Sequence, residues 1–188
     1  MSEYTPWIRL HFSNGPFSSA RGIVRFLLIR AEPKVSLYAT PVEIDPESPA
    51  MPISQPSHYA VYLAKLPGSF ATLGMAEDTW ALNEGAIDED AFLEQSKLIQ
   101  KEREAMFFSV LDHTRHGVVA CVFDTTDRVQ HMFYRYLEPA RASRRTLTSL
   151  SNSIATWIAS CAARRQYVDT DTALFVLSDH GFCPFRRA

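Results

Sequence analysis

Two runs of almost unbroken apolar residues stand out in the second half of the chain, Val118 to Phe123 and Ala173 to Leu177. Short runs without polar alternation fit strands buried on both faces. Each run turns polar at once, the first into Asp124-Thr-Thr-Asp-Arg-Val-Gln-His131 and the second into Ser178-Asp-His-Gly-Phe182. Between them Leu147, Leu150, Ile154, Trp157, Ile158 and Cys161 recur at three- and four-residue intervals, the stripe of an amphipathic helix. If the two strands are parallel, the helix between them makes a right-handed crossover.

The first half has a different rhythm. Ile8, Leu10 and Phe12 alternate with Arg9 and His11, which predicts a half-buried strand, and Ser13-Asn-Gly-Pro16 supplies a turn. Arg21 to Arg30 and Lys34 to Thr40 predict two further strands. Prolines at 41, 46, 49, 52 and 56 exclude a long regular element and predict a solvated connector carrying Glu43, Asp45 and Glu47. Ser57 is placed to cap a short helix with Tyr59, Leu63 and Leu66 on its apolar side, stopped by Pro67-Gly68. The adjacent acids Glu77 and Asp78 fit a helix start or a surface pair. Asp88, followed by Glu89 and Asp90, predicts the start of a long helix. Its stripe runs through Phe92, Ile99, Met106 and Val110, widened by Leu93, Phe107 and Leu111, and it ends before Gly117. His113 and His116 then complement the negative helix end.

The expected architecture is therefore α/β, a mostly parallel sheet flanked by helices with a small N-terminal β-rich excursion. Residues 1–56 form the β-rich insertion and proline-rich connector, and residues 57–188 the α/β core.

Chemistry concentrates where the two apolar runs end. Asp127 and His131 are four residues apart, so on a helix they share one face. Asp179 and His180 are adjacent, and at a strand-to-loop bend eased by Gly181 both can face one point. Carboxylate oxygen with imidazole nitrogen, and no cysteine pair nearby, suits zinc or manganese rather than a thiolate centre. The plainer role for the same residues is helix capping and ion pairing.

These segments, Asp127-Arg-Val-Gln-His131 before an aromatic stretch and Leu-Ser-Asp-His-Gly-Phe182 after an apolar run, resemble the two central metal motifs of the alkaline phosphatase superfamily. Within it the texture is most similar to the type I phosphodiesterase/nucleotide pyrophosphatase proteins, including Glu77-Asp-Thr-Trp-Ala-Leu-Asn83 and Phe123-Asp-Thr-Thr-Asp-Arg128. The resemblance implies two metal ions, usually zinc, flanking a phosphoryl group, with Asp127 and His131 on one and Asp179 and His180 on the other. It also implies an upstream metal-binding Asp, a Thr or Ser nucleophile and a later His that have no counterpart here. The chain is thus expected to be an internal fragment of an alkaline phosphatase-like core. Thr125 and Thr126 lie in the wrong part of the pattern to be the nucleophile. The implied function is that of a metal-dependent phosphodiesterase or phosphatase-type hydrolase acting on small phosphate esters, incomplete as an isolated chain. The alternative is a noncatalytic α/β remnant or interaction module with at most a weak metal site.

Composition narrows this picture little. A hydrophobic content of 46% permits a real core, and a formal charge of -2 leaves no global footprint for nucleic acid or an anionic membrane. No apolar stretch reaches membrane-spanning length, since Ile23 to Ile29 is interrupted by Arg25. Met1-Ser-Glu-Tyr-Thr-Pro-Trp7 lacks the regions of a signal peptide, so a cytoplasmic location is the default expectation. Cys121, Cys161 and Cys183 have no zinc-finger or redox spacing and fit reduced structural thiols. Arg141, Arg144 and Arg145 form a solvated basic cluster ahead of the second helix.

Overall fold

A computed structural model describes residues 3–13, 15, 19–137, 155 and 167–182. The chain divides into two compact units, Met1–Cys121 and Val122–Ala188. No helix among the described residues is long and apolar enough to cross a membrane.

In the first unit, β1 (Ile8–Ser13), β2 (Ser19–Val24) and β5 (Glu43–Ile44) form a three-stranded sheet in the order β1-β2-β5. Both pairings are antiparallel, with Ile8 opposite Val24, and Ile23 opposite Glu43. β3 (Phe26–Arg30) and β4 (Ser36–Ala39) make a separate antiparallel hairpin, with Leu27 opposite Tyr38. The single strand expected over 21–30 is broken at Arg25. That residue's N–H and carbonyl both go to Thr40, at 3.0 Å each, by way of the Thr40 hydroxyl and N–H. Ile23, Val24 and Leu27 around the break are buried core residues. In β1, by contrast, only Leu10 is half-buried, and the predicted partners Ile8 and Phe12 remain exposed.

Gly22 is where the sheet is tightest. A methyl group there would lie 2.6 Å from a Val42 methyl and 3.1 Å from the Glu43 carbonyl oxygen. No larger residue lets β5 approach β2 this closely.

The first part of the proline-rich connector is not a solvated loop. Glu43 and Asp45 are buried, at 3% and 0% exposure. Burial is possible because donors converge on them: Glu43 Oε2 accepts from the N–H groups of Thr72 at 2.7 Å and Leu73 at 2.5 Å, and Asp45 Oδ1 from the Glu47 N–H at 3.0 Å. A buried carboxylate without such donors would cost several kcal/mol, by roughly the scale of an unpaired buried ion.

Asp78 and Asp88 start helices as their sequence suggests, whereas the Ser57 signal is passed over. α1 (Tyr59–Lys65) begins after His58 rather than Ser57, and buries Ala60 and Ala64 beside Phe70, with Ile53, Leu63 and Met106 packed around them. α2 (Thr79–Asn83) is capped by Asp78, which accepts from the Ala81 N–H at 2.9 Å. α3 (Glu89–His113) is the long helix, capped by Asp88 at the Ala91 N–H. Its first half buries Phe92, Leu93, Ser96 and Ile99, while Met106, Phe107, Val110 and Leu111 are only half-covered. Glu102 joins α3 to the strands. It accepts from Trp7 Nε1 at 2.7 Å, the Arg25 guanidinium at 2.5 Å and the Ala71 N–H at 2.9 Å, and that guanidinium stacks on the Trp7 ring at 4.6 Å.

The expected mostly parallel sheet flanked by helices is not what the chain forms. Among the described residues the ladders are antiparallel and confined to small sheets of three and two strands. Residues 118–123 and 173–177 have no regular secondary structure, and Val118 and Leu177 are 94% and 86% exposed. Apolar composition fits a segment for a buried sheet position, but a strand exists only where a neighbour supplies the ladder and other layers cover both faces. Neither run meets those conditions among the described residues. The predicted crossover helix over Leu147 to Cys161 lies outside the described residues, as do Arg141, Arg144, Arg145 and Cys183.

Candidate metal centre

The site belongs to the second unit and is built from one helix and one irregular segment. α4 (Thr125–Phe133) buries Thr125, Val129 and Phe133 at four-residue intervals. Asp127 and His131 share that interval but are offset by two residues, about 200° around the axis, so they line the opposite side. Asp127 in the first turn and His131 in the last are each matched to the helix dipole. A 3-10 turn, Tyr134–Leu137, continues the helix.

The second contribution comes from residues 178–182. The Ser178 hydroxyl donates to the His180 carbonyl at 2.5 Å, and the His180 N–H donates to Asp179 Oδ1 at 3.1 Å. His180 Nδ1 lies 3.1 Å from the Gly181 carbonyl oxygen. Donation from Nδ1 to that carbonyl leaves Nε2 with its lone pair, the state a metal ligand requires.

Asp127 is the centre of the arrangement. Arg128 Nη1 holds Oδ2 at 2.9 Å. The other oxygen, Oδ1, is buried without a hydrogen-bond partner, and lies 3.3 Å from His131 Nε2 and 3.5 Å from His180 Nε2. One ligand atom from each of the three residues lies within 4.8 Å of the others. Donor atoms about 2.0–2.1 Å from a tetrahedral ion are about 3.4 Å apart, so the two oxygen–nitrogen separations have the spacing of a coordination edge. The imidazoles are open to solvent, at 58% exposure for His131 and 48% for His180.

Of the four residues picked from the sequence, the structure thus gathers Asp127, His131 and His180. Asp179 stands at the rim, 90% exposed, with Oδ2 3.8 Å from His180 Nε2. The two sequence pairs are not kept apart, because His180 reaches the Asp127 carboxylate. Sequence reasoning placed Arg128 only in a helix-cap or salt-bridge role and gave Phe182 none. The Phe182 ring meets His131 at 4.9 Å, His180 at 5.3 Å and Tyr134 at 5.7 Å between centroids. The aromatic run from Met132 to Tyr136 was the signal for such packing.

A carboxylate oxygen between two imidazole nitrogens, open to solvent on one side, is a donor set suited to the cation centre of a hydrolase. The family assignment agrees with that class. The family model described as type I phosphodiesterase / nucleotide pyrophosphatase matches residues 38–188, and the chain belongs to this family. Membership supports a phosphoester hydrolase-type function for the chain. No curated protein and no solved structure matches it.

Proposed function

We propose that the protein hydrolyses small phosphate esters with the help of a divalent cation held by Asp127, His131 and His180. The observation that carries this reading is Asp127 Oδ1, a buried carboxylate oxygen without a hydrogen-bond donor that faces two imidazole nitrogens. Arg128 fixes the carboxylate by its outer oxygen, and the Gly181 carbonyl fixes the His180 ring. Both contacts turn a lone pair toward the common point. Zinc suits these donors best, with manganese next. Such an ion would supply Lewis-acid stabilisation of charge on the phosphoryl oxygens.

Asp179 enters the same proposal as a ligand to a second cation, reached through its exposed Oδ2, while the one lone pair of His180 stays with the first. The exposure of both imidazoles leaves room for a phosphate ester to approach.

The test is hydrolysis of a p-nitrophenyl phosphodiester with zinc or manganese added, beside zinc titration of the same protein. Cation-dependent turnover that disappears in Asp127→Asn is the expected result. Native protein with neither turnover nor zinc binding would end this reading.

A further inference from the structure

The segment bearing His180 has no regular secondary structure, and residues 171–181 are exposed throughout. Half-exposed imidazoles ordinarily sample several rotamers. What ties this segment to α4 is aromatic. The Tyr134 hydroxyl donates to the Phe182 carbonyl at 3.0 Å across 48 residues of sequence. Their rings stack with a 29° interplanar angle and centroids 5.7 Å apart. The Phe182 ring also meets His131 and His180, at steep angles of 73° and 63°, the edge-to-face geometry aromatic pairs favour.

We propose that Tyr134 and Phe182 are positioning residues for the Asp127–His131–His180 cluster. Tyr134 latches the Phe182 backbone to the end of α4, and the Phe182 ring wedges both imidazoles in place so that His180 Nε2 faces Asp127 Oδ1. The proposal rests on the cation reading of the site and adds what keeps an exposed ligand from wandering. The wedge acts on ring orientation, so it operates in the cation-free protein as well. Outer contacts that orient ligands of this kind typically govern about 10- to 100-fold in metal affinity.

Tyr134→Phe keeps the stacked ring and removes only the latch. Phe182→Ala removes the wedge, and Phe182→Tyr restores it. Zinc affinity is expected to fall about 10-fold in Tyr134→Phe and toward 100-fold in Phe182→Ala, with recovery in Phe182→Tyr and unchanged far-ultraviolet circular dichroism in all three. The second readout needs no metal: proton NMR of the zinc-free native protein should show cross-relaxation between the Phe182 ring and the ring protons of His131 and His180. Those peaks should weaken in Tyr134→Phe. Native zinc affinity in both Tyr134→Phe and Phe182→Ala overturns the positioning role while the cation reading stands. Absence of the ring contacts in the native protein overturns it independently of zinc. Native protein that shows the contacts, loses them in Tyr134→Phe and yet binds no zinc defeats the cation reading and leaves the positioning role supported.

Discussion

Several carboxylates of the first unit and Asp127 of the second are used in opposite ways. Those in Met1–Cys121 accept from the chain's own donors: Glu102 from three, Glu43 from Thr72 and Leu73, and Asp78 and Asp88 as helix caps. Even Asp45, whose Oδ2 lacks a hydrogen bond, has Arg9 Nε 3.5 Å from that oxygen. In Val122–Ala188, Asp127 has one oxygen held by Arg128 while the other faces two imidazoles without accepting from either. A carboxylate whose oxygens are filled by the chain's own donors serves the fold. One kept in place by one oxygen, with the other turned to imidazole nitrogens, has the arrangement that the proposed cation site requires.

Breaking each kind should therefore harm a different property. Glu102→Ala leaves the Arg25 guanidinium, 12% exposed, without its carboxylate, and the Trp7 and Ala71 N–H groups without their acceptor. Removing one partner of a buried pair costs about 3–5 kcal/mol, read as a lowered urea midpoint for the first unit. Replacing Arg25 and Glu102 together by Met and Leu should cost much less, since no charge is then stranded. Zinc affinity should be unchanged in Glu102→Ala at temperatures where the variant is folded.

The reciprocal variant is Asp127→Asn. The amide keeps the shape and much of the packing but replaces the charged ligand, so zinc affinity should fall more than about 100-fold, equivalent to about 2.7 kcal/mol. Unfolding in urea should barely change. A variant that lost stability while keeping zinc affinity would place Asp127 with the structural carboxylates.

Gly22→Ala sharpens the comparison within the first unit, because it perturbs packing without touching any carboxylate. The added methyl must displace Val42 and presses on the Glu43 carbonyl. Overpacking of this sort costs about 1–3 kcal/mol. A denaturation series at constant pH measures it, and a neutral outcome would mean that β5 can shift away from β2 freely.

What could be foreseen from sequence divides along the same line. Caps and stripes are local, so Asp88 and the α3 pattern announced that helix, and the four-residue spacing of Asp127 and His131 announced a shared face on α4. Strand partners are nonlocal. The runs at 118–123 and 173–177 had the composition of buried parallel strands, but composition does not provide a neighbour, and in the structure they form no ladder. The burial of Glu43 was equally hidden, because its donors lie 29 and 30 residues further on, at Thr72 and Leu73. At the site, each Asp–His pair was visible as a pair. The approach of His180 to Asp127, across 53 residues of sequence, was not.

The smallest expected effect concerns Glu43 and depends on pH. Burial pushes its carboxyl above the usual value of 4.5, against the lowering influence of the Leu73 and Thr72 donors, and the nearby Glu77 charge adds to the rise. A group whose folded-state pKa lies above its unfolded value binds its proton more tightly when folded. Its contribution to stability is then fully present below about pH 4.5 and is lost as pH rises through the folded value. The amide of a Glu43→Gln variant does not titrate. The stability of that variant relative to the native chain should therefore improve as pH rises from about 4.5 through the folded value and level off above it, whatever its sign at the start. Urea midpoints of the two proteins measured across that range give the difference directly, and the shared titration of Glu102, also raised mainly by burial, largely cancels. A flat difference would mean that the Thr72 and Leu73 donors offset desolvation, and one that widened against the variant as the pH rose that they outweigh it. Glu43 would then be a carboxylate the fold prefers charged.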